Sequence, residues 1–359
     1  MSIKTKGYGA QGSFFNSLKR MDFDREEPKN DQVQIDILYC GVCHSDLHQV
    51  KNDWGNTLYP CVPGHEIIGK VVATGSSVTK YKVGDTVGVG CMVDSCQECA
   101  PCQHGDENYC QGPNSFTATY NGYQQPQPGV EMNTYGGYSD TIVVKESFVL
   151  RIPDSLDIKS AAPILCAGVT TYSPLKHWNV KAGDSVGVVG LGGLGHMAVK
   201  LATAMGANVT VFTTDKEKSS DALSFGAKKV IESSDDDAMK EAKSSIDFLL
   251  VTIPDPFDVT PYVPIMNLNG SIVTVGMLDE YKKPLNNMKL AVSRLSVGGS
   301  LIGNIAETQE VLDFCAEHNI LPATQMIKIQ DVNDAYDTML DKEVHYRFVI
   351  DMQSLREEE

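Results

Sequence analysis

The stretch SVGVVGLGGLGHMAVKLATAMGA, residues 185–207, decides the fold of this chain. Its pattern predicts an apolar strand, a glycine-rich loop from Gly190 to Gly195, and a helix. The loop matches Gly-x-Gly-x-x-Gly, in which the glycines permit a tight turn and let a diphosphate approach the helix N-terminus. The pattern is weak alone, but between a strand and a helix it predicts a dinucleotide-binding unit.

Strands and helices alternate outward from this stretch. Further strands are predicted at 208–213, 228–232, 247–253, 271–276 and near 300–304, with helices at 194–207, 216–227 and 235–244. This alternation predicts an α/β fold, a doubly wound parallel sheet with helices on both faces. The apolar residues 161–178 predict a helix that leads into it.

The first part of the chain has a different pattern. Runs such as VQIDILYC (33–40), IIGKVVATG (67–75) and DTVGVGCMV (85–93) are separated by Gly, Asp and Pro, which predicts strands and turns. After a helix at 308–319, the strands predicted at 326–330 and 346–352 indicate a return to this first unit. We therefore predict a mostly-β domain at 1–158, completed by 304–359, and a Rossmann domain at 159–303.

Composition narrows the possible partners and compartments. The 359 residues carry a formal charge of −16, and their Lys and Arg are scattered, which argues against a nucleic-acid or anionic-membrane partner. No run reaches the ~18 apolar residues of a membrane span, and no signal-peptide core is evident. The 10 cysteines then predict thiols used for metals or chemistry in the reducing cytoplasm.

Four cysteines form one compact motif, C-x2-C-x2-C-x7-C, at Cys96, Cys99, Cys102 and Cys110. Four thiolates this close together suit a closed, tetrahedral, structural zinc site. An iron–sulfur cluster is the alternative, but the last spacing and the absence of Pro after Cys110 disfavour it. We predict that this zinc stabilises a lobe with little core of its own.

A second set of soft ligands comes from separate segments: Cys43, His65 and Cys166. Two thiolates and one imidazole leave a coordination position open, as a catalytic zinc requires. Single Cys or His residues are more often packing than ligands, so these three are candidate ligands only as a set, in the context of the family motif described below. We assign packing or surface roles to the others, Cys40, Cys61, Cys91, Cys315, His44, His177 and His196.

The end of the second Rossmann strand bears on the cofactor. It carries Thr213 and Thr214, with Lys216 and Lys218 close behind, where an NAD enzyme has an acidic residue for the ribose hydroxyls. Hydroxyls and a lysine suit a 2′-phosphate instead, so NADP(H) is predicted. Asp215 is the counter-argument, because a shifted turn would let its carboxylate bind ribose.

The motif Gly64-His65-Glu66-x2-Gly69-x5-Gly75-x2-Val78 is similar to the signature of the zinc-containing medium-chain alcohol dehydrogenases. The four-cysteine lobe, ILCAG (164–168) and the glycine loop follow in that family's order. CGVCHSDLHQ (40–49), YPCVPGHE (59–66) and HYRFVID (345–351) resemble its cinnamyl alcohol dehydrogenase branch, especially the NADPH-dependent aldehyde reductases. The resemblance implies a GroES-like mostly-β domain, two zinc ions, NADP(H) and a homodimer joined through residues 295–303.

The same resemblance implies roles for individual residues. Glu66 is expected beside the catalytic zinc as a transient ligand, and Asp46 behind His65. Arg347 is expected against either Glu66 or the cofactor diphosphate, with an exposed structural arginine as the alternative. Ser45 and His48 are expected to relay a proton. The implied cofactor contacts are Gly190, Gly192, Gly193, Leu194, Thr213, Thr214, Lys218, Gly299 and Ser300. The implied substrate pocket includes Trp54, Leu58, Cys91 and Met92.

The predicted function is reversible hydride transfer between NADPH and an aldehyde, with broad specificity for aromatic, cinnamyl-type and aliphatic aldehydes. One alternative is a specialised terpenoid, polyol or iminium reductase on the same scaffold. A zinc-buffering or redox-sensing protein is the non-catalytic alternative, but it would not need the glycine loop, Glu66 or Ser45.

Overall fold

The computed structural model of the protein describes residues 2–14, 17–276, 280–341 and 346–357. Two compact units are present: a β unit, Met1–Cys166 with Asn304–Glu359, and an α/β unit, Ala167–Gly303. The domain boundary predicted at 158/159 stays a prediction. Among the described residues, no helix is long and apolar enough to cross a membrane.

The elements are numbered in chain order. The strands are β1 Ser2–Ala10, β2 Leu18–Glu26, β3 Gln32–Val42, β4 Ile67–Thr74, β5 Thr86–Val89, β6 Met92–Asp94, β7 Thr117–Ala118, β8 Thr141–Lys145, β9 Leu150–Arg151, β10 Ser185–Val189, β11 Asn208–Thr213, β12 Lys229–Glu232, β13 Ile246–Val251, β14 Met266–Thr274, β15 Ser296–Gly299, β16 Thr324–Lys328 and β17 Arg347–Asp351. The α-helices are α1 His44–Lys51, α2 Ala100–His104, α3 Ile158–Ala161, α4 Ala167–His177, α5 Gly195–Ala204, α6 Ser219–Ser224, α7 Asp236–Glu241, α8 Asn287–Ser293, α9 Ile305–His318, α10 Val332–Leu340 and α11 Gln353–Arg356. Short 3₁₀ helices occur at Glu107–Tyr109, Glu146–Phe148, Ala162–Leu165, Lys216–Lys218, Thr260–Ile265 and Ile329–Asp331.

The main sheet of the β unit has the strand order β16-β17-β3-β4-β5-β9, with β8 also pairing β3. Alternate residues of β3, among them Val33, Ile35 and Ile37, are buried, the period-2 pattern of a strand with one face on the core. β3 and β4 run antiparallel, with Cys40 opposite Ile67. The end of β3 therefore lies beside the start of β4, which brings the segments around Cys43 and His65 together.

Within the described part of the α/β unit, six strands form a parallel sheet in the order β12-β11-β10-β13-β14-β15. This is the doubly wound order in which the first strand is central and the glycine loop follows its carboxyl end. Phe212, Leu249 and Ile272 are fully buried in its core. The Rossmann fold predicted from the alternation of strands and helices is confirmed.

Two predicted elements differ from the structure. The helix predicted over 161–178 is interrupted, because the 3₁₀ helix Ala162–Leu165 ends at Cys166, whose φ of −128° and ψ of −70° are not helical, and α4 begins after it. The last Rossmann strand was predicted near 300–304, which is wrong: β15 is Ser296–Gly299, and its Val297 pairs with Ile272. Ile302 has a φ of +43°, a left-handed conformation that an extended strand cannot contain.

Candidate active site

Cys43 lies at a sharp turn between β3 and α1. It is the N-cap of α1, and the carboxylate of Asp46, three residues later, accepts a hydrogen bond from its backbone N–H at 2.9 Å. This reciprocal cap satisfies a donor that the helix leaves free. The turn therefore fixes the backbone of Cys43 and carries Asp46 into the interior, where it is fully buried.

Asp46 also fixes the ring of His65. Its Oδ1 accepts a hydrogen bond from the backbone N–H of Gly64 at 3.0 Å and lies 2.9 Å from Nδ1 of His65. A carboxylate can only accept there, so Nδ1 carries the proton and Nε2 offers its lone pair. That lone pair points to the cysteine side, since Nε2 lies 3.3 Å from Sγ of Cys166.

One ligand atom each from Cys43, His65, Glu66 and Cys166 lies within 4.8 Å of the other three, and all four residues are buried. Thiolate, imidazole and carboxylate are the ligand types that zinc prefers, so this set fits a zinc ion. Hydrogen bonding by the Cys166 thiol, aided by the charges of Arg347 and His65, holds the pKa of Cys43 well below its usual value. A thiol that deprotonates readily is a ready metal ligand.

The carboxylate of Glu66 is shared between this set and Arg347. Its Oε1 accepts a hydrogen bond from Nη2 of Arg347, whereas the buried Oε2 has no hydrogen-bond partner within the described residues. Burial raises the pKa of Glu66 to about 7, against the opposing charge of Arg347. One oxygen is therefore tied to arginine, and the other remains available to a metal.

Helix α1 also carries the two residues expected to relay a proton. Ser45 lies beside the metal-ligand set, with its Oγ 3.7 Å from Sγ of Cys43. His48 is three residues further along, on the same helix face, and its Nδ1 lies 2.8 Å from a carboxylate oxygen of Asp53. Asp53 is a site residue that the motifs above do not predict, although an acidic residue five positions after a relay histidine is a signal in the sequence.

The four-cysteine loop forms the second ligand cluster. The ligand sulfurs of Cys96, Cys99, Cys102 and Cys110 all lie within 4.8 Å of one another, and the distance from Cys96 to Cys102 is 3.9 Å. Tetrahedral zinc with 2.3 Å bonds to sulfur requires edges of about 3.8 Å, so the cluster fits zinc. The backbone amide of Cys102 lowers the pKa of Cys99 to about 6, which favours the thiolate.

The glycine loop follows β10 as predicted. Gly190 has a φ of +90°, which favours glycine, and a side chain on Gly195 would overlap the carbonyl of Gly190. A Cβ on Gly192, in contrast, would meet nothing within 4 Å. The unit itself thus requires two of the glycines, and the third leaves open space in front of α5 for a ligand.

At the end of β11, Asp215 is hydrogen-bonded within its own turn, whereas Thr213 and Lys218 are distinguished by their burial. Asp215 caps a 3₁₀ turn by accepting from the N–H of Glu217 at 3.0 Å, and its other carboxylate oxygen lies 3.7 Å from Nζ of Lys218. The carboxylate is therefore already engaged inside its own turn. Thr213 ends the strand and is buried, and the Lys218 side chain is only 17% exposed.

The structure places the remaining predicted residues as follows. Leu194 is the N-cap of α5, Gly299 ends β15, and the N–H of Ser300 donates to Thr274 at 3.0 Å. The four predicted pocket residues lie in different surroundings. Met92 is buried, and the backbone N–H of Leu58 donates to the side-chain oxygen of Asn121. Sγ of Cys91 lies 3.8 Å from the carbonyl oxygen of Leu165, and the centroid of the Trp54 ring lies 5.7 Å from that of His48. Two buried tyrosines that no sequence motif predicts also belong to the site: the Tyr138 hydroxyl contacts Asp46, and the Tyr336 hydroxyl contacts that of Tyr138.

Comparisons with known proteins agree with this geometry. The alcohol dehydrogenase GroES-like domain matches residues 29–154, and the zinc-binding dehydrogenase family matches residues 193–317. The chain is 48% identical to aldehyde reductase YahK of Escherichia coli over 354 residues, covering 98% of this chain and 99% of that protein. It is 47% identical to NADP-dependent alcohol dehydrogenase C of Mycobacterium tuberculosis, covering 94% of this chain and 96% of that protein.

Among solved structures, the cinnamyl alcohol dehydrogenase of Helicobacter pylori complexed with NADP(H) superimposes with a TM-score of 0.90 at 40% identity, covering 98% of this chain and 99% of that chain. The relatedness spans both units and confirms the GroES-like and Rossmann folds inferred from the sequence. The chain belongs to the zinc-containing medium-chain alcohol dehydrogenases, in the branch of the cinnamyl alcohol dehydrogenases and NADPH-dependent aldehyde reductases.

Proposed function

We propose that this protein is a zinc-dependent alcohol dehydrogenase that reduces aldehydes to primary alcohols with NADPH, in a reversible reaction of broad specificity. The observation that carries the proposal is the buried set Cys43, His65 and Cys166, beside which Glu66 has one oxygen that forms no hydrogen bond with any described residue. Three soft ligands and one exchangeable carboxylate provide an open coordination position, which a structural zinc does not have.

The protein's residues divide the work of the site. Cys43, His65 and Cys166 would hold zinc, which when bound acts as a Lewis acid on a carbonyl oxygen. Asp46 keeps the proton of His65 on Nδ1, so that Nε2 stays a metal ligand. NADPH, when bound, supplies the hydride.

Reduction also consumes one proton, which must reach the product oxygen. Ser45 beside the ligand set is positioned to donate it, and His48 on the same helix face is positioned to replace it from solvent. The Asp53 carboxylate holds the His48 ring in a fixed orientation. In the direction of alcohol oxidation, the same groups carry the proton outward.

The α/β unit would hold the cofactor. The glycine loop and the first turn of α5 receive the diphosphate, with Gly192, Gly193 and Leu194 lining the approach. Thr213, Thr214 and Lys218 receive the 2′-phosphate, and Asp215 instead caps its own 3₁₀ turn through one carboxylate oxygen. Gly299 and Ser300, at the carboxyl end of β15, complete the cofactor contacts.

The four-cysteine loop has a separate role. We assign Cys96, Cys99, Cys102 and Cys110 to a closed structural zinc that has no free coordination position for a substrate. Its contribution is stability of the loop between β6 and β7.

Paired steady-state kinetics with NADPH and NADH test the proposal directly. The purified protein is assayed with cinnamaldehyde, benzaldehyde and a short aliphatic aldehyde, and then with terpenoid and polyol substrates in the oxidative direction. We expect a large preference for NADPH and rapid reduction of several unrelated aldehydes. Equal use of NADH would overturn the assignment of Lys218, and turnover confined to one terpenoid or polyol would favour the specialised alternative.

We further propose that the chain forms homodimers through β15, the edge strand of the parallel sheet that the described residues form. That strand ends the parallel sheet, and Met288 and Val292, one turn apart on the neighbouring helix α8, are 71% and 74% exposed. Light scattering should give twice the chain mass, and Val292→Asp should lower it. A monomer at assay concentration would contradict this proposal.

We also assign the chain to the cytoplasm, where its ten free thiols stay reduced. Imaging of a tagged chain tests this assignment.

A further inference from the structure

The carboxylate of Asp46 is surrounded by hydrogen-bond donors. Besides the N–H groups of Cys43 and Gly64 and the ring of His65, it accepts from the phenol of Tyr138, whose hydroxyl lies 3.3 Å from Oδ2. Both Asp46 and Tyr138 are fully buried. A buried carboxylate is costly unless donors compensate it, so a fourth donor, at Oδ2, offsets part of the cost of burying Asp46.

The segment that carries Tyr138 is attached to the backbone that precedes His65. The N–H of Gly137 donates to Gly64 at 2.8 Å, and the N–H of Tyr138 donates to Pro63 at 3.0 Å. The approach is close, because a Cβ on Gly64 would lie 2.6 Å from Cδ1 of Tyr138. The tyrosine therefore touches the His65 turn through both its backbone and its ring.

A second phenol extends the contact. Tyr336, on α10, has its hydroxyl 3.5 Å from that of Tyr138, and it is 2% exposed. Burial and the nearby charge of Asp46 raise the pKa of both tyrosines well above the usual value, so both hydroxyls keep their protons. Donation thus runs from Tyr336 to Tyr138 to Asp46, and donors in series polarise one another.

We infer that Tyr138, supported by Tyr336, is a positioning residue for the catalytic zinc site. It holds Oδ2 of Asp46, so that Oδ1 stays directed at Nδ1 of His65 and Nε2 stays directed at the metal. The inference rests on the proposed zinc site. Without the phenol, the carboxylate loses one of its four donors, and Oδ2 keeps only the N–H of Cys43. The carboxylate is then held less rigidly, so His65 binds the metal less firmly.

The rate of zinc loss to a chromogenic chelator tests this inference in the holoenzyme. The two zinc sites should release their metal in two kinetic phases. The phase of the catalytic zinc is the one that is missing in Cys43→Ala, because this variant should retain only the zinc of the four-cysteine loop. In Tyr138→Phe, which keeps the ring and removes only the hydroxyl, we expect the catalytic zinc to leave about 3- to 10-fold faster. The phase of the four-cysteine zinc should be unchanged.

Two further variants separate positioning from general packing. Tyr336→Phe lies one hydrogen bond further from the metal, so its effect should have the same sign and be smaller. If Tyr138→Phe does not fold, Tyr336→Phe serves as the test variant in its place. Tyr81→Phe is the matched control, because its hydroxyl donates to Val149 at 2.6 Å in the same unit and away from the ligand set. We expect no change in either zinc phase from it.

Cobalt(II) at the catalytic site gives a readout that does not depend on stability. The visible ligand-field bands should shift in Tyr138→Phe and remain in place in Tyr81→Phe, because only the first change alters the orientation of His65. Equal zinc-loss rates and unshifted bands in both positioning variants would overturn the inference. If the wild type itself has no zinc phase that depends on Cys43, the proposed function fails with it, and the two failures are distinguishable.

Discussion

The two ligand clusters of the β unit are built in opposite ways. Cys96, Cys99, Cys102 and Cys110 come from one short loop, and backbone amides approach their sulfurs, as the N–H of Gln111 does to Cys99 at 3.3 Å. Cys43, His65, Glu66 and Cys166 come from three distant segments. They are positioned by other side chains: Asp46 behind the histidine and Arg347 behind the glutamate.

This contrast explains a division of roles. A loop with four adjacent thiols needs little of the fold to close around a metal, but it has no position left for a substrate. The buried set forms only when β3, β4 and the turn at Cys166 are all in place, and it keeps an exchangeable carboxylate. The buried site therefore depends on the fold of the whole unit, but it can bind and activate a substrate, which the four-cysteine loop cannot do.

Removal of one buried ligand should have the largest effect. Cys43→Ala is expected to lower NADPH-dependent aldehyde reduction by about 10³-fold or more, because the Lewis acid is lost. Zinc content by atomic spectroscopy should fall from two ions per chain to one, and NADPH titration should be unchanged. The control is Cys40→Ala, which removes a buried thiol outside the cluster and should keep both zinc ions. Full turnover in Cys43→Ala would remove the distinction between the clusters.

A cofactor variant should abolish turnover without disturbing either metal. Gly192→Asp introduces a carboxylate into open space in front of α5, where it repels the cofactor diphosphate. We expect the NADPH dissociation constant, measured by fluorescence titration, to rise about 10²-fold, or roughly 3 kcal/mol. Gly192→Ala is the matched neutral control and should bind NADPH nearly normally. Loss of zinc from Gly192→Asp would show that the change acts through the fold.

Lys218→Ala should change the cofactor preference rather than the chemistry. Loss of one charge-assisted contact to the 2′-phosphate is expected to reduce the ratio of kcat/KM for NADPH over NADH about 10-fold. Lys216→Ala is the comparison, because Lys216 is 77% exposed and paired with Glu232. Equal effects of the two substitutions would mean that general positive charge, and not Lys218, selects the phosphate.

The smallest effect on turnover is expected from the local cluster. Cys102→Ala should lose one zinc ion and lower the midpoint of thermal unfolding by several degrees, because metal binding stabilises the loop. Turnover per folded molecule at low temperature should fall far less than in Cys43→Ala. Circular dichroism melts, with kinetics on the soluble fraction, measure both quantities. A loss of turnover as large as that of Cys43→Ala would contradict a purely structural role.

The sequence predicts the local features best. The four-cysteine spacing and the glycine loop are readable because all their parts lie within a few residues. The buried set required a resemblance to a known family, since His65 and Cys166 are 101 residues apart and neither is distinctive alone. The displaced edge strand, β15, reflects the backbone conformation of Ile302, which composition does not reveal.

The contacts behind the ligands were not predicted for a related reason. Tyr138 and Tyr336 are separated by 198 residues and meet only after α10 has packed against the rest of the β unit. A single tyrosine gives the same sequence signal whether its ring fills a core or its hydroxyl donates to a buried carboxylate. Their partners become visible only in the assembled fold.

The most direct test of the central claim is stepwise chelation of the wild-type enzyme. Zinc content and NADPH-dependent reduction of cinnamaldehyde are measured on the same samples, and zinc is then added back. We predict that a folded protein without zinc has no turnover, and that activity returns with the metal. A zinc-free, folded chain that still reduces the aldehyde would contradict the account.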